Sequence, residues 1–231
     1  MGQKSVFREY FEALLIAVIF ATFARTYVVQ AFKIPSGSME ENLLIGDHIL
    51  VNKFVYGPAP SGFERAVLPV REVRRGDVVV FKSPEDPTRD FIKRCVALPG
   101  DQVEIIAKKL FVNGEPIDES AYTYHTDRQT YPSSRFYQPQ FRYRDNYGPE
   151  IIPAGRYFCL GDNRDNSNDS RFWGSVPEEM IKGRAVLIYW SYEGDGAPES
   201  GRVVDRIKKI GRVAVTFFTR TRWERTFDLV R

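Results

Sequence analysis

The chain of 231 residues is 43% hydrophobic and 14% aromatic, enough for one sizeable core and too apolar for a disordered segment. Its 33 Lys and Arg against 30 Asp and Glu leave a net charge of +3, too small by itself to point to nucleic acid. Two cysteines and two histidines exclude a disulfide framework and argue against a structural zinc site.

The first element is apolar. Residues 13–24 (ALLIAVIFATFA) carry no charge, but twelve residues cover only about 18 Å. The apolar character resumes after Arg25 with Val28, Val29, Ala31 and Phe32. Taken together, residues 11–32 would cover about 33 Å as a helix, enough to span a bilayer if Glu12 and Arg25 lie near the two interfaces. This predicts a single N-terminal transmembrane anchor within residues 1–32. A cleaved signal peptide fits less well, because no clean Ala-x-Ala site follows, and a buried or interfacial helix is the remaining alternative. Flanking charge does not fix the orientation, since Lys4 and Arg8 precede the segment while Arg25 and Lys33 follow it.

Pro35 and Gly37 end the helical pattern. The chain then reads as strands over 45–54, 78–81, 91–98, 103–106, 109–112, 157–160 and 185–190, all rich in β-branched and aromatic residues. Asn113-Gly114 predicts a tight hairpin and Pro99-Gly100-Asp101 another turn. Residues 120–150 are polar and Tyr-rich and read as an inserted lobe or long loop. Pro177-Glu178-Glu179-Met180 opens a single short helical turn. The predicted fold is mainly β, an antiparallel barrel or sandwich on one helical stalk, with residues 33–231 forming the body. Arg202, Arg206, Lys208, Lys209, Arg212, Arg220, Arg222 and Arg225 crowd the C-terminal stretch. Such a run is either a solvated face or a membrane-surface contact.

Three clusters can carry chemistry. Pro35-Ser36-Gly37-Ser38-Met39 is a tight turn with little steric cover, suited to an exposed nucleophile but equally to a plain turn. A serine needs a base. His48 and His125 are not obviously placed to serve, and neither Gly-x-Ser-x-Gly nor Ser-x-x-Lys occurs. A lysine remains. In strand alternation Lys93 shares a face with Phe91, Cys95 and Ala97. At an ordinary pKa of ~10.4 only about one lysine in 2,500 is neutral at pH 7. Burial on that face lowers the pKa, and a drop of ~3 units would leave a large neutral fraction. A lysine that snorkels from the strand edge is the alternative. The third cluster, 161–171 (GDNRDNSNDSR), is dense in turn-forming side chains. It fails as a calcium loop begun at Asp162, which has no glycine at its sixth position and Trp173 where the bidentate Glu belongs. Asp169 and Arg171 are placed to form an ion pair.

These clusters, with 46–54 (GDHILVNKF), 75–81 (RGDVVVF), Lys93-Arg94 and 98–101 (LPGD), resemble the type I signal peptidase family, from the anchor to about Trp190 with a gap over 120–150. The resemblance implies a membrane-bound serine endopeptidase that works through an acyl-enzyme, with Ser38 as nucleophile and Lys93 as general base. Ser36 would join the Ser38 backbone N–H in the oxyanion hole. Ser167 would orient Lys93, and Asp169 with Arg171 would brace that loop. Phe32, Ile34, Pro35, Met39, Leu43, Ile49, Val80, Phe91 and Ile92 would line shallow apolar pockets that select small residues, Ala-x-Ala, before the cut. Each of these nine is alternatively ordinary core. The resemblance further implies no metal or cofactor, preprotein signal peptides and membrane lipid as partners, no nucleic acid, and a monomer. It places the protein at the bacterial cytoplasmic membrane, with the N-terminus inside and the catalytic domain on the outer face. Glu40-Glu41-Asn42-Leu43 departs from the Pro-Thr-Leu common in relatives after the nucleophile's Met, which alters the rim rather than the chemistry. Two rivals are a self-cleaving repressor with a Ser–Lys dyad, which lacks its DNA-binding helix-turn-helix here, and a catalytically silent signal-peptide-binding module, which would not need both Ser38 and Lys93.

Overall fold

The computed structural model describes residues 6–23, 25, 28–56, 70–194 and 203–230. Helix α1 (Val6–Phe23) opens the chain. Its 18 residues cover about 27 Å, and its first two turns hold Arg8, Glu9 and Glu12, with Arg8 and Glu12 paired at 2.7 Å. Among the described residues no helix is long and apolar enough to cross a membrane. The expected continuous helix over 11–32 is broken: strand β1 (Val29–Lys33) pairs antiparallel with β2 (Asp47–Asn52), setting Phe32 opposite Ile49 and Lys33 opposite His48. The reason is local. Val28 and Val29 are β-branched and lose side-chain freedom in a helix, and β2 offers this stretch a ladder for its backbone groups.

The predicted strands appear as β3 (Val78–Lys82), β4 (Asp90–Ala97), β5 (Gln102–Ile106), β6 (Lys109–Val112), β9 (Arg156–Leu160) and β11 (Ile181–Ser191). Four more were not foreseen beside β1: β7 (Glu115–Pro116), β8 (Tyr147–Ile151), β10 (Val176–Pro177) and β12 (Asp228–Leu229). They form two antiparallel sheets. The larger runs β1-β2-β11-β3-β4-β9-β10, with β12 added to β11, and the smaller runs β7-β6-β5-β8. Among the described strands the larger sheet stays open between β1 and β10, so the fold is mainly β without barrel closure.

Asn113 and Gly114 connect β6 to β7 with φ of 56° and 82°, the left-handed pair that a two-residue hairpin requires. Ala107 and Lys108 make the same turn between β5 and β6, with φ of 47° and 71°, and carry no sequence signal for it. The polar stretch 120–150 is less separate than expected. It contains the helical turn α2 (Pro139–Arg142), and β8 at its end completes the smaller sheet against β5.

Three hydrophobic clusters hold the body together. One joins Ile34, Met39, Leu43, Ile49, Val80, Ile92 and Ile188. A second lies under the smaller sheet around Val103, Leu110 and Phe158, and a third forms around Phe81, Cys95, Cys159 and Val176. The short helix α3 (Ser170–Trp173) follows the 161–171 loop, and helix α4 (Val203–Arg220) follows β11.

Candidate active site

Ser38 sits in a single 3-10 turn (Gly37–Met39) immediately beyond β1. The chain leaves β1 through Ile34, whose N–H donates to the Asp47 carbonyl at 2.8 Å and whose carbonyl accepts from Gly46 at 3.0 Å. Pro35 follows and cannot extend the ladder. The turn is then closed by Glu40 N–H to the Gly37 carbonyl (3.2 Å) and by Leu43 N–H to the Met39 carbonyl (2.8 Å). Met39 and Leu43 anchor it in the first hydrophobic cluster. Ser36, just before the turn, is exposed, whereas Ser38 is 8% exposed.

Lys93 comes from the middle of β4, opposite Val79 of β3. Its Nζ lies 2.6 Å from Ser38 Oγ and 5.6 Å from the centroid of the Phe91 ring. Lys93 is only 4% exposed. Desolvation by burial disfavours the ammonium and brings the pKa down from 10.5 to about 8. The carboxylates of Asp169 and Asp162 pull it back up, and Arg171 pushes it down. The ammonium donates to the Ser38 oxygen; once neutral, the amine can accept the hydroxyl proton instead. The snorkelling alternative does not hold, because the amine ends in the interior.

The 161–171 loop is sewn to the Ser38 turn. Asn163 N–H donates to the Ser38 carbonyl at 3.1 Å, and Asn163 Nδ2 to the Gly37 carbonyl at 3.1 Å. Asp169 caps α3 by accepting from Arg171 N–H and also accepts from Gly161 N–H at 3.1 Å. The Arg171 guanidinium grips both oxygens of Asp169 at 2.8 Å and donates to the Arg144 and Arg164 carbonyls at 2.6 and 2.7 Å. The Asp169 carboxyl is fully buried, which alone would raise its pKa, yet Arg171 and its other donors hold it below the usual carboxylate range. The Ser167 hydroxyl is buried near Asp169, without a hydrogen bond of ordinary geometry. A Cβ at Gly161 would fall 2.2 Å from Ser167 Oγ and 2.5 Å from the Ser38 carbonyl oxygen, so only glycine fits between loop and turn.

Two buried ion pairs extend this frame, and neither was foreseen. Arg94, next to Lys93, binds Asp162 through two hydrogen bonds of 2.8 and 2.7 Å. Its guanidinium lies 4.2 Å from the Tyr122 ring centroid. Asn42 adds a 2.8 Å bond to the same carboxylate, so the departure at 40–43 has a structural use. Arg164 is held bidentately by Glu119. These partners lie 68 and 45 residues apart in the chain, beyond any local pattern.

The remaining predicted residues fall into two groups. Ile34, Met39, Leu43, Ile49, Val80 and Ile92 are all buried in the first hydrophobic cluster. Phe32, Pro35 and Phe91 keep part of their surface open. His48 stacks on Trp190 with centroids 4.8 Å apart, and His125 lies 3.4 Å from Asp165. Cys95 and Cys159 are directly opposed on β4 and β9 as buried free thiols. Among the described residues no cluster of His, Cys, Asp and Glu has the makings of a metal site.

Residues 7–190 match the family model described as signal peptidase, peptidase S26. A signal peptidase I from Pseudomonas fluorescens is 40% identical over 209 residues, which are 80% of this chain and 72% of that one. One from Aquifex aeolicus is 33% identical over 248 residues, covering 88% and 92% respectively. Among solved structures, a signal peptidase I from Enterococcus faecalis V583 is similar over 49% of this chain and 97% of its own, at 29% identity and a TM-score of 0.38.

Proposed function

Since the chain belongs to the signal peptidase family, peptidase S26, and is a serine endopeptidase that removes signal peptides, we propose that Ser38 is its nucleophile and Lys93 its general base. The observation that carries this reading is the 2.6 Å contact between Lys93 Nζ and Ser38 Oγ, made by a lysine buried enough to lower its pKa to about 8. At pH 7 about one lysine in eleven is then neutral, against about one in 2,500 for an ordinary lysine.

The neutral Lys93 amine takes the Ser38 proton as Oγ attacks the scissile carbonyl carbon. The tetrahedral oxyanion is stabilised by the Ser38 N–H and the Ser36 hydroxyl. The ammonium then gives its proton to the leaving amine as the C–N bond breaks, and an acyl-Ser38 ester remains. Lys93, neutral again, takes a proton from water, which attacks the ester and releases Ser38. Asp169 and Arg171 act by position: they fix the loop that carries Asn163 against the Ser38 turn, while Ser167 packs beside Gly161 rather than hydrogen-bonding Lys93.

Substrate choice, in this reading, rests on the surface that Phe32, Pro35 and Phe91 leave open, floored by the buried Ile34, Met39, Leu43, Ile49, Val80 and Ile92. A floor that is already packed leaves room only for small side chains, which favours Ala-x-Ala. Helix α1 is exposed along its length, with Phe7, Leu14, Ile16, Ile19 and Phe20 among its bare residues. That surface supports attachment to the cytoplasmic membrane, with the β body (residues 33–231) on its outer face. No metal or cofactor enters the scheme.

The test is cleavage of a preprotein carrying an Ala-x-Ala site in detergent, wild type against Lys93→Ala. Cleavage after the second Ala by the wild type alone supports the assignment. Equal cleavage by both removes Lys93 from the chemistry. No cleavage by either folded protein turns the reading towards a silent binding module.

A further inference from the structure

Helix α4 lies beyond the residues that match the family model. Its contacts with the body, among the described residues, run along one side. Thr216 Oγ1 meets Tyr192 Oη at 2.5 Å, Phe217 packs on Trp190 with ring centroids 6.0 Å apart, and Glu193 N–H donates to the Arg220 carbonyl at 2.9 Å. Just past the helix, Arg222 donates to the Ile45 carbonyl, and Arg225 binds both the Asn42 carbonyl and Asp47. Residues 42–47 follow the Ser38 turn directly, so α4 is fastened beside the active-site loop.

The side turned away from the body is apolar and bare. Ile210, Ala214 and Phe218 follow one another at four-residue spacing with Val215 alongside. Ile210 is 69% exposed, Val215 85% and Phe218 79%. Phe218 stacks on the half-exposed Trp223, which extends the strip past the end of the helix. Lys208 and Arg212 are exposed, and Arg212 stands one turn before Val215, which puts cations along the margin of the strip. Asp205 is the only acidic residue in the 18-residue helix.

We propose that α4 is an interfacial helix that docks on an anionic lipid surface, with Ile210, Ala214, Val215 and Phe218 in the acyl boundary and Lys208 and Arg212 among the phosphates. Apolar strip, cationic margin and an aromatic at the boundary are what a headgroup layer over a hydrocarbon layer accommodates. A second copy of the chain is a poorer occupant. Pairing two such strips would bring Lys208 and Arg212 of each near those of the other, with only Asp205 on each helix to offset them. Docking here complements attachment through α1. The chain beyond α1 joins the sheet at Val29, opposite Asn52, whereas α4 is fastened near Asp47 at the other end of β2. Contact at both places would fix the tilt of the Ser38 turn over the membrane, where one attachment would leave it free to swing.

The test uses the full chain in lipid nanodiscs, made either of phosphatidylcholine alone or with one third phosphatidylglycerol. Amide exchange over residues 205–220 is read by mass spectrometry. Each basic contact is worth about fivefold in the docking equilibrium, so two should slow exchange by roughly 25-fold on the anionic discs. Lys208→Glu with Arg212→Glu should abolish the difference, and Val215→Asp with Phe218→Asp should restore fast exchange on both discs. Cleavage of a short soluble peptide should be unchanged in both variants, which also reports that they fold. Equal exchange on the two kinds of disc overturns the proposal. So does protection that appears only when two copies share a disc, which would assign the strip to self-association.

Discussion

Lys93→Met separates the chemistry of the buried amine from its structural cost. Methionine has nearly the same length and no charge. The fall of the Lys93 pKa from 10.5 to about 8 is worth about 3 kcal/mol at ~1.4 kcal/mol per pH unit. Below pH 8 lysine is protonated both folded and unfolded, and the folded protein bears the whole cost of burying the ammonium. Between pH 8 and 10.5 the unfolded chain binds more protons, so the wild type gains stability as pH rises. Above 10.5 the gain is complete; it is lost again as pH falls through about 8. Methionine escapes this cost at every pH but forfeits the hydrogen bond to Ser38 Oγ, worth about 1 kcal/mol. The variant should therefore be inactive, yet more stable than wild type by about 2 kcal/mol at pH 7 and less stable by about 1 kcal/mol at pH 11. Denaturant melts of the two proteins in the same mild detergent, from pH 7 to 11, measure this, and the difference cancels every other titrating group. A stability difference that stays flat across pH would refute the account of Lys93 as a desolvated, depressed base.

The same pKa predicts that kcat/KM rises about tenfold per pH unit below pH 8 and levels off above it; a limb near pH 6 would point to another base. Ser38→Ala and Lys93→Ala should each abolish turnover, and the double variant should be no worse than either, because the pair acts as a unit; additive losses in single-turnover rates would count against the pairing. Gly161→Ala should fold but lose about 10²-fold in kcat, since its Cβ would displace the Ser38 carbonyl; adding Ser167→Ala should relieve only part of the loss, and full rescue would show that the Ser38 contact is soft. Asp169→Asn should cost roughly 3–5 kcal/mol in denaturant melts by stranding Arg171. It should also move the acid limb to lower pH, because the Asp169 carboxylate holds the Lys93 pKa up; an upward move would contradict the electrostatic reading.

What could be read from the sequence follows the range of the interactions. The strands β2 to β6, β9 and β11 show in alternation and in β-branched content because each side chain reports its own face. Asn113-Gly114 was legible because few other dipeptides adopt two left-handed residues in a row, whereas the equivalent turn at Ala107-Lys108 is imposed by strand pairing and leaves no compositional trace. The ionic frame was legible only where it is local. Asp169 and Arg171 are two residues apart and were recognised as a pair. Arg94–Asp162 and Arg164–Glu119 exist only once β4, β9 and the 120–150 stretch come together. Hydropathy failed in a different way. It scores residues 28–32 as a continuation of the apolar segment, but it does not sense that a strand partner at 48–52 offers that stretch a better use of its backbone.

The ionic frame explains why Lys93, rather than a neighbouring cation, is left depressed. Among the described residues four buried cations, Lys93, Arg94, Arg164 and Arg171, and three buried carboxylates, Asp162, Asp169 and Glu119, lie around the site, beside the mutually offset pair Arg144–Asp145. Each carboxylate is occupied by one guanidinium in a two-pronged grip, a geometry that an ammonium does not match. Asp162 receives Asn42 as well, and Asp169 receives the Gly161 N–H. Lys93 is thus the surplus charge. Neutralising it leaves three cations facing three anions in a buried region, whereas protonating it leaves one positive charge without its own counterion. Losing a carboxylate would enlarge that surplus and push Lys93 further towards neutrality. Losing Arg94 or Arg171 would free a carboxylate for Lys93 and raise its pKa towards the range of an idle lysine. The arginines flanking Lys93 therefore act on it from a distance: by occupying the carboxylates, they keep it without a counterion of its own.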